Sequence, residues 1–265
     1  MTSPASPSPT THMLQTALVG NPNCGKTSLF NQLTGSRQKV ANYAGVTVER
    51  KEGFFSTPQG RPIRVLDLPG AYSLASTSPD EDVTRDVCLG QHRTEKRPEL
   101  LISVISATNL RLHLRFLLEL RQLEVPVIVA LNMMDEAKRN GMTIDIAGLE
   151  QELGMPIVPV ISLNRQGVQP LLEALDRPLP PPPKALSPDA DLHAEVRRLL
   201  QAYVTNRSAG HARLVDRLDR WFLHPVWGPV ILLVVLFVMF QTVFAWAQPL
   251  MDALESGITM LGEFI

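Results

Sequence analysis

Gly20-Asn21-Pro22-Asn23-Cys24-Gly25-Lys26-Thr27 stands between a short apolar run, Leu14 to Val19, and a stretch of helical spacing, Ser28 to Leu33, that ends at Thr34-Gly35. Strand, glycine loop and helix, in that order, are the setting in which a G-x-x-x-x-G-K-[ST] pattern acts as a phosphate site. Gly20 and Gly25 admit backbone angles that a side chain forbids, so successive N–H groups can turn inward on an anion. The helix that follows adds the positive end of its dipole. In that arrangement Lys26 bridges the outer phosphates and the Thr27 hydroxyl holds Mg²⁺. The plainer alternative is a glycine turn that binds nothing, and it requires the correct placement between strand and helix to be an accident.

Outward from this loop the chain alternates strands and helices. Arg37 to Thr47 is polar, carries few apolar anchors and reads as a mobile loop that orders only if Thr47 is held. Val46 to Phe55 and Ile63 to Leu68 read as a strand pair joined by the turn Thr57-Pro58-Gln59-Gly60. Asp67-Leu68-Pro69-Gly70 closes the second of them, setting a carboxylate beside the phosphate loop and a flexible peptide just beyond it. Such positions suit a Mg²⁺-associated acid and a glycine that senses a terminal phosphate. Ala71 to Ser78 reads as a second mobile stretch, and Pro79 to Leu89 as a helix with an acidic first turn. Glu99 to Ala107 and Val125 to Leu131 read as buried strands flanking a leucine-rich helix, Leu110 to Leu123. The second of these strands runs into Asn132-Met133-Met134-Asp135. A helix at Asp145 to Leu153, a strand at Pro156 to Ile161 and a helix at Gln169 to Leu175 complete the pattern. This predicts an α/β domain, a mostly parallel sheet covered on both faces, with ligands at the carboxyl ends of the strands.

Bulk composition narrows the possibilities. The 265 residues leave room for one ordinary domain plus additions, and 25 basic against 26 acidic residues give no basic patch for nucleic acid. Two cysteines, Cys24 and Cys88, make neither a disulfide framework nor a four-cysteine zinc site, which suits a reducing compartment. Cys24 itself has two readings, a small filler residue or a thiol activated at a helix N-terminus, which alkylation with and without nucleotide would separate. The six histidines are scattered without ligand spacing. Residues 1–13 read as a disordered tail, not a secretory signal. Five prolines among residues 178–183 mark a boundary, so 179–188 is expected to be a linker and 189–222 a pair of short helices. From Pro225 to Met251 no residue is charged, and 226–247 is long enough to cross a hydrocarbon core of ~20 residues. Residues 248–265 mix apolar groups with Asp252, Glu255 and Glu263 and read as an interfacial segment. Arg217, Arg220 and His224 before the span, against acids after it, place the preceding domain in the cytoplasm.

Gly20 to Thr27, Gly45-Val46-Thr47-Val48-Glu49, Asp67-Leu68-Pro69-Gly70-Ala71-Tyr72-Ser73 and Asn132 to Asp135 together resemble, in order and spacing, the G domain of the bacterial ferrous iron transporter B (FeoB) family. Trp221 to Gly228, leading into the span, is similar to that family as well. The resemblance covers residues 14–178 and implies a Ras-like P-loop GTPase fold, followed by short helices and one transmembrane helix. It implies GTP/GDP as ligand, with Mg²⁺ and K⁺. Nucleotide contacts are expected from Gly20 through Ser28, from Gly45, Val46 and Thr47, from Asp67 through Gly70, from Asn132, Met133, Met134 and Asp135, and from Ser162 and Leu163. Lys26, Asn23, Thr47 and Gly70 are the implied catalytic residues. Thr27, Thr47 and Asp67 are the implied Mg²⁺ residues, and Asn132 with Asp135 would read guanine. A carboxylate accepting from guanine N1 and its 2-amino group leaves adenine unpaired, which is costly when buried.

Departures from better-known small GTPases shape the expected mechanism. Met133 replaces a common lysine, so a looser nucleotide grip is expected. Ala71 follows Gly70, so no glutamine orients water there, and no arginine finger is evident. The resemblance implies a K⁺ ion in place of that arginine, held by Asn23, and hence slow, K⁺-stimulated hydrolysis. It also implies the bacterial inner membrane, control or powering of Fe²⁺ import, small accessory Feo proteins, self-association and contact with a lipid bilayer. The chain is expected to be the amino-terminal part of such a transporter. The competing reading is a membrane-tethered GTP switch that binds a partner and transports nothing.

Overall fold

The computed structural model describes residues 12–35, 38–43, 48–75, 78–187, 191–206 and 220–262. The chain divides into two compact units, Met1–Arg207 and Ser208–Ile265. In the first, β1 (Leu14–Val19), β4 (Pro62–Asp67), β5 (Leu100–Ser106), β6 (Val127–Asn132) and β8 (Ile157–Pro159) are joined by parallel pairing, in the order β4-β1-β5-β6-β8. Antiparallel β3 (Glu49–Ser56) and β2 (Gln38–Asn42) extend the β4 edge to seven strands. Alternate side chains of each central strand enter separate cores. Ala17, Leu101, Ile105, Val129 and Leu131 face one, while Leu18, Ile102, Val104, Ile128 and Ala130 face the other. Burial on both faces explains the unbroken apolar runs of these strands.

Helices close both faces. α1 (Lys26–Thr34) and α6 (Gln169–Asp176) bury Leu29, Phe30, Leu33, Leu171 and Leu175 in the second core. α2 (Pro79–Leu89), α3 (Leu110–Leu120), α4 (Met134–Arg139), α5 (Ile146–Leu153) and α7 (Leu192–Tyr203) contribute to the first. Local chemistry fixes their starts. The Ser78 hydroxyl accepts the Glu81 N–H ahead of α2, and Asp145 and Asp191 accept N–H groups of the first turns of α5 and α7. Those N–H groups hold the Asp191 carboxyl below its ordinary range. α3 places Leu114, Phe116, Leu117 and Leu118 out of solvent, at roughly 1.5–3 kcal/mol per side chain.

Several expectations change. Gln38–Asn42, expected within a mobile loop, is a strand whose backbone pairs with β3, and the adjoining Tyr43 is 2% exposed. The expected 179–188 linker is pinned, because Arg121 Nε donates to the Lys184 carbonyl at 2.8 Å and Leu186 packs on the core. Directly after α7 the chain forms β9 (Val204–Asn206), antiparallel to β7 (Met142–Ile144), and the second short helix expected after residue 210 falls largely outside the described residues. The break expected at 206–210 begins at Asn206, and residues 207–219 lie outside the described residues, as do 1–11 of the expected tail.

The second unit is dominated by α8, Trp227–Gly262, 36 residues long. Its stretch Trp227–Ala245 is long and apolar enough to cross a membrane. The helix continues through 248–262, where a separate segment was expected, because nothing there breaks the backbone ladder except Pro249.

Candidate functional site

The phosphate loop links the carboxyl end of β1 to α1, and its backbone is shaped for a tight turn. Asn23 and Gly25 both take left-handed angles, with φ of 62° and 90°. A Cβ on Gly25 would lie 2.2 Å from Asn132 Nδ2, so only glycine lets the loop approach β6. Asn132, 2% exposed, fastens that approach. Its Nδ2 donates to the Cys24 carbonyl at 3.0 Å and to Ser162 Oγ at 2.9 Å, and its Oδ1 accepts the Ser162 N–H at 3.2 Å. Three loops at one edge of the sheet are thereby tied together, those holding Cys24, Asn132 and Ser162. Met133 follows with a left-handed φ of 60°, and its sulfur receives the Ser106 hydroxyl at 3.3 Å. Asp135 lies exposed in the first turn of α4, ion-paired to Arg139 at 2.6 Å. Leu163 is 80% exposed.

On the other side of the loop, Lys26, Thr27, Asp67, Leu68, Pro69 and Gly70 line one cleft of about 290 Å³. That is small for a whole nucleotide, and suits its polyphosphate end. Parallel register sets Asp67 opposite Leu18, and the Asp67 carboxylate is ion-paired to the Lys26 ammonium with both side chains nearly buried. A carboxylate and a hydroxyl oxygen, Thr27, facing the same cleft are the hard oxygen donors that Mg²⁺ takes. Gly70 is wedged on the loop, since a Cβ there would meet Pro22 at 3.1 Å, and the Ala71 N–H donates to the Gly20 carbonyl at 3.2 Å.

Sequence reasoning gave no site role to Val48, Glu49, Lys51 or Asp80, which line the same cleft. The β3–β4 register puts Lys51 beside Asp67, a signal that only strand pairing reveals. Gly45, Val46 and Thr47 lie outside the described residues. Asn23 and Ser28 are exposed at the loop surface, whereas Asn21 is 2% exposed with neither amide atom bonded to protein. Cys24 is fully buried, and burial pushes its thiol pKa up, outweighing the lowering by neighbouring N–H groups and Lys26. Both observations favour the filler reading over the activated thiol.

The profile of a family described as Ferrous iron transport protein B matches residues 14–175. The Fe(2+) transporter FeoB of Escherichia coli is 46% identical over 164 residues, which are 62% of this chain and 21% of that protein. A Fe(2+) transport protein A/Fe(2+) transporter FeoB fusion protein of Porphyromonas gingivalis is 42% identical over 167 residues, 63% of this chain and 19% of that one. The chain thus spans about a fifth of the length of the curated relatives it matches. Among solved structures, a mutant S. thermophilus NFeoB bound to GDP aligns with a TM-score of 0.57 at 39% identity, covering 63% of this chain and 62% of that one.

Proposed function

The chain belongs to the ferrous iron transport protein B family, which it matches across its nucleotide domain, and from that premise we propose that it binds and hydrolyses GTP as the cytoplasmic end of a bacterial inner-membrane Fe²⁺ importer. The observation that carries this is the convergence of Lys26, Thr27, Asp67 and Gly70 on one cleft, beside loops that Asn132 binds together. In this reading Lys26 leaves Asp67 for the β- and γ-phosphates, and Asp67 with Thr27 turns to Mg²⁺. Thr47 would complete that set. The Gly70 N–H meets the γ-phosphate. Asp135, on an exposed turn, accepts from guanine, while Asn132 acts by holding the Cys24 and Ser162 loops in place.

Ala71 in place of a water-orienting glutamine supports slow turnover. Asn23, exposed at the lip of the loop, offers a carboxamide oxygen to K⁺, which would supply the charge of an arginine finger. Hydrolysis then controls or powers import. A fusion relative that joins a transport protein A to FeoB supports small accessory proteins as partners, with self-association a further expectation. The decisive measurement is GDP and GTP binding with steady-state hydrolysis in K⁺ and in Na⁺. Nanomolar to micromolar GDP binding that Lys26→Ala weakens at least tenfold is expected, with turnover higher in K⁺. Equal turnover in both salts removes the K⁺ role, and absence of guanine binding removes the whole reading. Fe²⁺ uptake by cells carrying the complete transport system, compared with a Lys26→Ala strain, separates an importer from a tethered switch.

A further inference from the structure

The backbone just past Gly70 is held from two helices. The Pro69 carbonyl accepts the Thr84 hydroxyl of α2 at 3.0 Å, and the Tyr72 N–H donates to the Glu81 carboxylate at 3.2 Å. A third hold, two bonds to one carboxylate oxygen, comes from α3. One oxygen of Glu119, on α3, accepts both the Ser73 hydroxyl at 2.8 Å and the Leu74 N–H at 2.6 Å. Its other oxygen accepts Arg115 Nε at 3.3 Å. Glu119 is 7% exposed, and it does not line the phosphate cleft. A glutamate in a helix of this composition would ordinarily face water. Here a carboxylate has been taken out of water and given donors, which makes each bond charge-assisted and costly to lose.

Position gives this bond its meaning. Only three residues separate Gly70 from Leu74, so fixing Leu74 restricts where the Gly70 peptide can go. At its other end that peptide already rests on Pro22, with the Ala71 N–H on Gly20. We propose that Glu119 is a positioning residue for GTP hydrolysis: by gripping Ser73 and Leu74 it keeps the Gly70 peptide at the wall of the phosphate cleft, aligned before a terminal phosphate arrives. The proposal rests on reading that cleft as a GTP-hydrolysing site. Preorganised donors act only on the step in which charge moves, so a lost anchor should appear in turnover and not in the grip on GDP. Because α3 packs along α7, the same anchor ties the segment to the helix that precedes β9.

The test compares Glu119→Ala, Glu119→Gln and Ser73→Ala with the parent in the full chain. Glu119→Ala should lower kcat about tenfold or more, with GDP affinity within about twofold and KM little changed. Glu119→Gln keeps an oxygen that can accept both donors, and it should recover most of the turnover. Ser73→Ala removes one of the two donors and should fall between them. Hydrogen exchange at the Leu74 amide, measured without nucleotide, should quicken in Glu119→Ala while the amides of β1 and β5 stay protected. Unchanged kcat in Glu119→Ala overturns the proposal, and so does a parallel loss of GDP affinity and turnover that glutamine does not rescue. A parent chain that binds no GDP would instead sink the reading of the cleft, and the Leu74 exchange would still decide whether Glu119 holds the segment.

Discussion

Asn132 and Asp135 lie three residues apart in one motif, yet the structure gives them different surroundings and so different expected losses. Asn132 is buried and bonded to Cys24 and Ser162. Replacing it with alanine strands a carbonyl and an N–H in the interior, at about 1–3 kcal/mol for each unsatisfied group. Asn132→Ala should therefore lower the thermal midpoint even without ligand, and GDP affinity with it. Asp135 is exposed, and its ion pair with Arg139 is worth ~0.5 kcal/mol at most. Asp135→Ala should leave the midpoint alone and abolish the preference for GDP over an adenine nucleotide. Thermal melts and competition binding on the two variants check both, and equal destabilisation would refute the division of roles. Cys24 carries a second residue-scale prediction. Buried and with its pKa raised, it should resist alkylation at neutral pH with or without nucleotide and react only on unfolding, as intact-mass measurement would show.

At the scale of elements, α3 holds a group that titrates against the fold. His113 is 4% exposed, its Nδ1 finds no partner among the described residues, and burial pushes its pKa from 6.5 down to about 4. The folded chain thus prefers the neutral ring more strongly than the unfolded chain does. The associated stability is full above pH 6.5 and drains as pH falls toward about 4, by roughly 3 kcal/mol at the end. Denaturant unfolding of the nucleotide domain between pH 7 and pH 4 should show His113→Leu losing clearly less stability than the parent, and parallel losses would contradict the assignment. The same helix shows what a sequence does and does not disclose. Its leucines announced a broad apolar face, and the central strands announced themselves as unbroken apolar runs. Glu119 looked like any solvated helix charge, because its partners Ser73 and Leu74 are remote in sequence and meet it only after packing. β2 was missed because Gln38-Lys39-Val40-Ala41-Asn42 buries nothing and is held chiefly by backbone pairing, with the Lys39 ammonium over the Phe54 ring. β7 and β9, three residues each, become strands only in each other's presence. The phosphate loop was legible for the opposite reason, since its glycines, lysine and threonine act through local geometry.

For the whole molecule, the governing fact is how much apolar surface the second unit leaves uncovered. Within Trp227–Ala245 nothing is buried, and the stretch rises ~28 Å at 1.5 Å per residue, close to the thickness of a hydrocarbon core. At roughly 1.5–3 kcal/mol per large apolar side chain, that surface demands cover. Its leading end is built for an interface. Trp221 and Trp227 lie 6.2 Å apart, and His224 Nδ1 accepts the N–H groups of Val226 and Trp227 at 3.2 and 3.3 Å, satisfying donors that a helix start would otherwise leave open. Basic residues stand before the apolar stretch, and Asp252 and Glu255 follow it within α8, so the positive-inside rule predicts that the nucleotide domain lies on the cytoplasmic side. The two native thiols are buried, which makes introduced cysteines clean reporters of sidedness. Leu254→Cys, near the far end of α8, should react with a membrane-impermeant thiol reagent in intact spheroplasts. Gln59→Cys, on an exposed turn of the nucleotide domain, should react only after the membrane is opened. The reverse pattern would place the phosphate cleft away from its nucleotide, and reaction of both in intact spheroplasts would mean that α8 does not cross.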